Sequence, residues 1–133
     1  MKDQVTSIEQ SKRLIEMGVP AEKASMIYQS HFTQGVPKLY AQPYQRNGYP
    51  PKEKIREDVV PAFTVADLLG LLPPKISCQD PSDGNFRMRR YMGENGIEWV
   101  VDYDRFIAND VSIINVLVEA IILLVSTKHE LNI

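Results

Sequence analysis

Residues 7–28 read SIEQSKRLIEMGVPAEKASMIY, and the fold class turns on whether one or both halves are helical. The first half carries a start signal. Thr6-x-x-Glu9 and Ser7-x-x-Gln10 both fit a capping box, in which side chains satisfy the free N–H groups of a first helical turn. Ile8, Leu14, Ile15 and Met17 supply the apolar positions. Gly18 suits the left-handed residue that ends a helix, and Pro20 suits the first turn of a following one. The spacing of Ala24, Ile27 and Tyr28 then predicts a second helix over about Pro20–Ser30.

Two helices meeting at a Gly-Val-Pro bend invite two functional readings. A DNA-reading helix-turn-helix wants a small residue four positions before the turn glycine and an apolar one just before that. Leu14 and Arg13 occupy those places. The second helix would offer Ala21, Glu22, Lys23 and Ser25 to the groove, poor material for phosphate or base contact. The stretch LIEMGVPAEKA resembles the Met-Gly-aromatic loop of ubiquitin-associated three-helix domains. Val19 stands where that family favours an aromatic, and HFTQGVPKLYAQP replaces the prompt third helix. The reading kept is a helix–helix corner.

Outward from the corner, Thr33 to Pro61 shows no apolar period and is rich in Pro, Tyr, Gly and Gln. It reads as a long surface crossing, with a short extended piece at Lys38–Tyr40. A tyrosine can bury its ring there and keep its hydroxyl wet. A leucine-rich third helix follows in TVADLLGLLP. Thr64 is its cap, Asp67 its first-turn acid, Leu68, Leu69, Leu71 and Leu72 its core candidates, and Pro73-Pro74 its stop. Beyond the turn-rich SCQDPSDGN, two strand-like runs meet at Asn95-Gly96, a hairpin signal.

The most apolar run, VLVEAIILLV at 116–125, is about half the roughly 20 residues that span a bilayer, and Glu119 interrupts it. Ser112, Asn115, Glu119 and Ser126 make a narrow polar stripe on an otherwise apolar helix. Such a helix lies central to a core or is shared with a second copy. The fold class expected is therefore α+β and mostly helical. It has two N-terminal helices, a third leucine-rich helix, one hairpin at about 86–103 and an apolar C-terminal helix at about 110–128. All of it forms a single domain over 1–133.

Composition bounds the function. The chain has 133 residues, a formal net charge of −2 and one cysteine. Near-neutral charge does not favour a nucleic-acid binder. A lone Cys78 excludes an internal disulfide, and there is no Cys/His spacing for structural zinc. The start, MKDQVTSIEQ, lacks the apolar core of a secretory signal, so a cytoplasmic protein with no membrane segment is expected. His31 and His129 have no partner at ligand spacing, apart from Glu130 beside His129. Cys78 sits in a polar loop with Asp80 and no group to lower its pKa. No glycine loop cradles phosphate. No catalytic residue, cofactor or metal is assigned, and the expectation is a non-enzyme.

Two motifs remain. Arg87, Arg89 and Arg90, with Phe86 and Tyr91, could form a strand surface for single-stranded nucleic acid. Asp102 and Asp104 share a strand face, as metal ligands could. A two-residue turn at Asn95-Gly96 explains both. It sets Met92 opposite Trp99, Arg90 opposite Val101 and Met88 opposite Tyr103 on a core-facing side. It sets Tyr91 opposite Val100, Arg89 opposite Asp102 and Arg87 opposite Asp104 on the solvent side. A three-residue loop with a bulge would instead put Trp99 opposite Tyr91.

In order along the chain, SIEQSKRLIEMGVPAEKASMIY, PAFTVADLLGLLP, EWVVDY and LVEAIILLV are similar to small uncharacterised proteins of prophages and mobile elements in gut bacteria. That resemblance implies a phage- or element-borne protein and transfers no site residue. The function expected is protein–protein interaction or a structural accessory role, with a nucleic-acid-binding accessory protein as the alternative. Tyr40, Tyr44 and Tyr49 of the loop and Arg87 and Arg89 of the hairpin are the candidate surface. The partner would be an unknown protein, or a second copy through the C-terminal helix.

Overall fold

The computed structural model describes residues 4–30, 36–43, 59–76, 84–94, 96–103 and 106–133. They form two compact units, Met1–Asp67 and Leu68–Ile133. In the first, helix α1 (Ile8–Glu16) begins at Ser7, whose Oγ accepts from the Gln10 N–H while Gln10 Oε1 accepts from the Ser7 N–H. Of the two capping boxes the sequence offers, this one forms. Thr6 is freed for a different task. Its Oγ1 lies 2.7 Å from Ser11 Oγ and accepts from the Phe63 N–H, all of it buried. The helix ends as Gly18 predicts. Gly18 has φ +99°, its N–H donates to Ile15 O, and the Val19 N–H donates back to Leu14 O. Val19 and Leu14 are both buried, the apolar contact that accompanies this terminus.

The second helix is absent. After a single 3-10 turn at Ala21–Lys23, Ala24 turns extended (ψ 132°) and strand β1 runs from Met26 to Gln29. A short apolar run such as MIY fits helix or strand equally by period, and long-range pairing decides it. β1 is the centre of an antiparallel sheet between β2 (Lys38–Tyr40) and β3 (Val59–Ala62). Ile27 faces Tyr40 on one side and Pro61 on the other. Pro61 is tolerated because, among the described residues, β3 is an outer strand with no ladder needing its missing N–H on the far side. The extended piece expected at Lys38–Tyr40 is therefore a sheet strand, and the loop expected over Thr33–Pro61 contains most of β3 as well. Its segments 33–35 and 44–58 lie outside the described residues. Val5, Met26 and Ala62 form the local core, with Tyr28 and Leu39 packed on it.

Helix α2 (Val65–Leu71) is capped as TVAD suggests. Thr64 Oγ1 accepts from the Asp67 N–H, and Asp67 Oδ2 accepts from the Thr64 N–H. Asp67 also accepts from the Ser25 backbone and hydroxyl, at 2.8 and 2.5 Å, fastening the entry to β1. Leu68, Leu71 and Leu72 are buried, whereas Leu69 is exposed.

The second unit holds β4 (Arg87–Gly93), β5 (Gly96–Tyr103), β6 (Phe106–Asp110) and helix α3 (Ile113–Ser126). The sheet order is β4-β5-β6, all antiparallel. β6 was unforeseen. FIAND carries Asn and Asp, which are poor strand formers, and the expected helix absorbed its end. Asp110 instead closes the strand and accepts from the Ser112 N–H, and Ser112 caps α3. Val101, Tyr103 and Ala108 of the sheet and Ala120, Leu123 and Leu124 of α3 line one narrow apolar crevice. Seven residues of α3, among them Val116, Leu117 and Ile121, are buried, while Asn115, Glu119 and Ser126 are exposed. Near the chain's end the Asn132 N–H and side-chain amide donate to Leu71 O and Gly70 O, capping α2. Among the described residues, then, the chain is α+β with two three-stranded sheets, not mostly helical with one hairpin. None of the described helices is long and apolar enough to cross a membrane.

Candidate interaction surface

The hairpin's register differs from the one expected. The last pair is Gly93 opposite Gly96, leaving residues 94 and 95 between the strands. Two glycines flank the connection and both are used. Gly96 has φ +101°, and a Cβ on Gly93 would stand 2.7 Å from the Glu98 carboxylate. Each β4 residue therefore meets a partner two positions earlier in β5 than Asn95-Gly96 would give. Arg87, not Arg89, faces Asp102, and Arg89 faces Val100. A slip of two keeps every side chain on its expected face. The expected pairing of Arg87 with Asp104 is thereby overturned, since Arg87 faces Asp102; a joint site of Asp102 with Asp104 lies outside the described residues.

Burial departs from expectation on both faces. Asp102 is not turned to solvent: it sits next to the end of the central strand β5, with its side chain 7% exposed and Arg87 Nε 2.9 Å from Oδ1. Arg87 itself is 67% exposed. On the other face Val101 and Tyr103 are buried, but Met92 and Ile97, which face each other, are 75% and 53% exposed. The reason is geometric. β6 pairs with β5 only as far as Trp99 opposite Asp110, so the pairs Tyr91–Glu98, Met92–Ile97 and Gly93–Gly96 extend beyond it as a two-stranded arm.

The arm is ordered by its own side chains. Tyr91 Oη donates to Glu98 Oε2 at 2.6 Å, and the hydrogen bond to that carboxylate, with lesser contributions, raises the phenol's pKa. Asn109 Nδ2 approaches the same oxygen from β6, at 3.5 Å. At the base of the opposite face the Arg90 guanidinium lies 5.3 Å from the Trp99 ring centroid, within cation–π range.

Of the residues expected to form a surface, Arg87 and Arg89 lie exposed on one face of β4, and Tyr40 is exposed on the outer strand β2. Tyr44 and Tyr49 fall outside the described residues, as do His31 and Cys78. His129 follows α3, its N–H donating to Leu124 O. Sequence reasoning missed Met92 and Ile97 because it assigned that whole face to the core. The signal available was length: seven- and eight-residue strands outrun a five-residue third strand. Among the described residues no group of three or more His, Cys, Asp or Glu is placed to hold a metal ion. Compared with known proteins, the chain matches no family model, no curated sequence and no solved structure.

Proposed function

We propose that the chain is a non-enzymatic protein–protein interaction or structural accessory protein of a phage or mobile element, acting in the cytoplasm through the β4–β5 arm. The observation that carries this reading is the facing pair Met92 and Ile97, held out on an ordered arm with most of their surface in water. Large apolar side chains clustered in this way mark contact surfaces. Two of the three arginines that would serve a nucleic acid are otherwise engaged, Arg87 by Asp102 and Arg90 by Trp99. A second copy is one form the partner could take. The apolar girth of α3 is already buried within one chain, so self-association through it would use the exposed Asn115, Glu119 and Ser126 side.

Photo-cross-linking in the native cell tests the reading. A photoreactive residue at position 92 or 97 should trap a discrete protein adduct that the same group at exposed Glu119 does not. Absence of adducts from the arm, or the same adducts from all three sites, would overturn it. Light scattering measures the homodimer separately.

A further inference from the structure

We infer that the outer edge of β4 accepts an extended segment of a partner protein by strand addition, and that this segment alternates acidic and apolar residues. The inference rests on the interaction reading above and names the partner's chemistry. β4 ends the sheet order β4-β5-β6, and among the described residues no strand pairs with its outer side. Five of its seven residues are exposed. Every second backbone N–H and C=O along it therefore points away from β5, where no described strand takes it up, a template for another strand.

The side chains say which strand. Arg87, Arg89 and Tyr91 project on one face, and Met88, Arg90 and Met92 on the other. An incoming strand sends alternate residues to the same two faces. Carboxylates suit the face with Arg89, and with the exposed remainder of Arg87, whose Nε already serves Asp102. Apolar side chains suit the face with Met88 and Met92, where they also cover the most exposed hydrophobic residue of the arm. A second copy of β4 is disfavoured. Every antiparallel register centred between Met88 and Arg90 sets an arginine opposite an arginine, and an in-register parallel pairing sets all three against themselves. Like charges directly opposite are destabilising and opposite charges stabilising. Charges on an edge that repel its own kind admit a strand of opposite sign.

The probe is a blocked eight-residue peptide of alternating valine and glutamate, titrated onto the full chain by fluorescence anisotropy and backbone amide NMR. Saturable binding with shifts concentrated in 87–93 is expected. Replacing glutamate by lysine, or methylating alternate backbone nitrogens of the peptide, should each weaken it at least tenfold. Arg89 is exposed, so the variant Arg89→Glu should keep its circular dichroism spectrum and prefer the lysine peptide. Equal binding of the methylated peptide would overturn strand addition. Equal binding of oligo-dT would overturn the protein partner in favour of nucleic acid, and concentration-dependent shifts in 87–93 without peptide would do so in favour of a second copy. If no peptide binds while position 92 still cross-links a protein, strand addition fails and the interaction reading stands. If neither occurs, both fall.

Discussion

Removing Arg87 should cost more than removing the carboxylate it serves. Asp102 is nearly enclosed, while Arg87 is two-thirds exposed, so the two ends of the ion pair have unequal alternatives. In Arg87→Met the arginine's charge simply disappears, and Asp102 keeps its burial without its donor. A hydrogen bond to a charged group is worth about 1.5–3 kcal/mol. Exposure on the arginine side screens the pair and lets water replace part of it, which lowers the expected loss to about 2 kcal/mol. In Asp102→Val the buried charge is gone, a β-branched residue fills a central-strand position, and Arg87 moves into water. Such exchanges leave stability within about 1 kcal/mol of the starting value. In that background Arg87→Met should cost less than about 0.5 kcal/mol. Urea unfolding followed by the single tryptophan, Trp99 on the same strand, reads this locally. With a slope near 2 kcal/mol/M the Arg87→Met midpoint falls by about 1 M. Equal costs of Arg87→Met in the two backgrounds would refute the reasoning, as would Asp102→Val proving the more damaging single change.

Thr6→Val should destabilise by about 2 kcal/mol, because it orphans the buried Phe63 N–H and the Ser11 hydroxyl together. Ser11→Ala should cost about half that, and chemical denaturation ranks the two. Burial raises the Tyr103 pKa, and its hydroxyl donates to Pro73 O at 2.6 Å. A raised pKa in the folded state means stability is complete below the unfolded value near 10 and falls as pH rises above it. Tyr103 alone should remove about 1.4 kcal/mol by pH 11, a slope that Tyr103→Phe lacks in parallel pH-dependent denaturation. Gly96→Ala forces a side chain onto a positive φ and should cost about 1 kcal/mol by melting. Gly93→Ala should instead push the Glu98 carboxylate off Tyr91, so absorbance titration finds that phenol's pKa moving back down.

Signals closed within a few residues were legible. The Ser7 cap, the Gly18 terminus and the Thr64–Asp67 cap each satisfy local backbone groups with local side chains, so sequence spacing suffices. The hairpin's faces were legible because alternation survives a slip of two. Its register was not, since Gly93 and Gly96 offer competing turn positions and only the fit of Glu98 against Gly93 separates them. β1 was lost because Met26–Gln29 is made a strand by Val59–Ala62, more than a helix's length away in the chain. The arm was lost with β6: the strand lengths that mark where the hairpin leaves the sheet can be compared only once the short third strand is recognised.

The pairing of β1 also sets a timetable. Its partners in β3 lie 30 to 36 positions ahead, from Gln29 with Val59 to Met26 with Ala62. A ribosome adding about 5–20 residues per second delivers them roughly 2–7 s after β1 is complete. Until then the central strand has one flank without its neighbour. By contrast β4 and β5 are joined by two residues and can zip within microseconds of emerging. Slowed translation would therefore lengthen the vulnerable interval of the first unit, and aggregation of nascent chains should scale with a pause placed where β1 has left the ribosome and β3 has not.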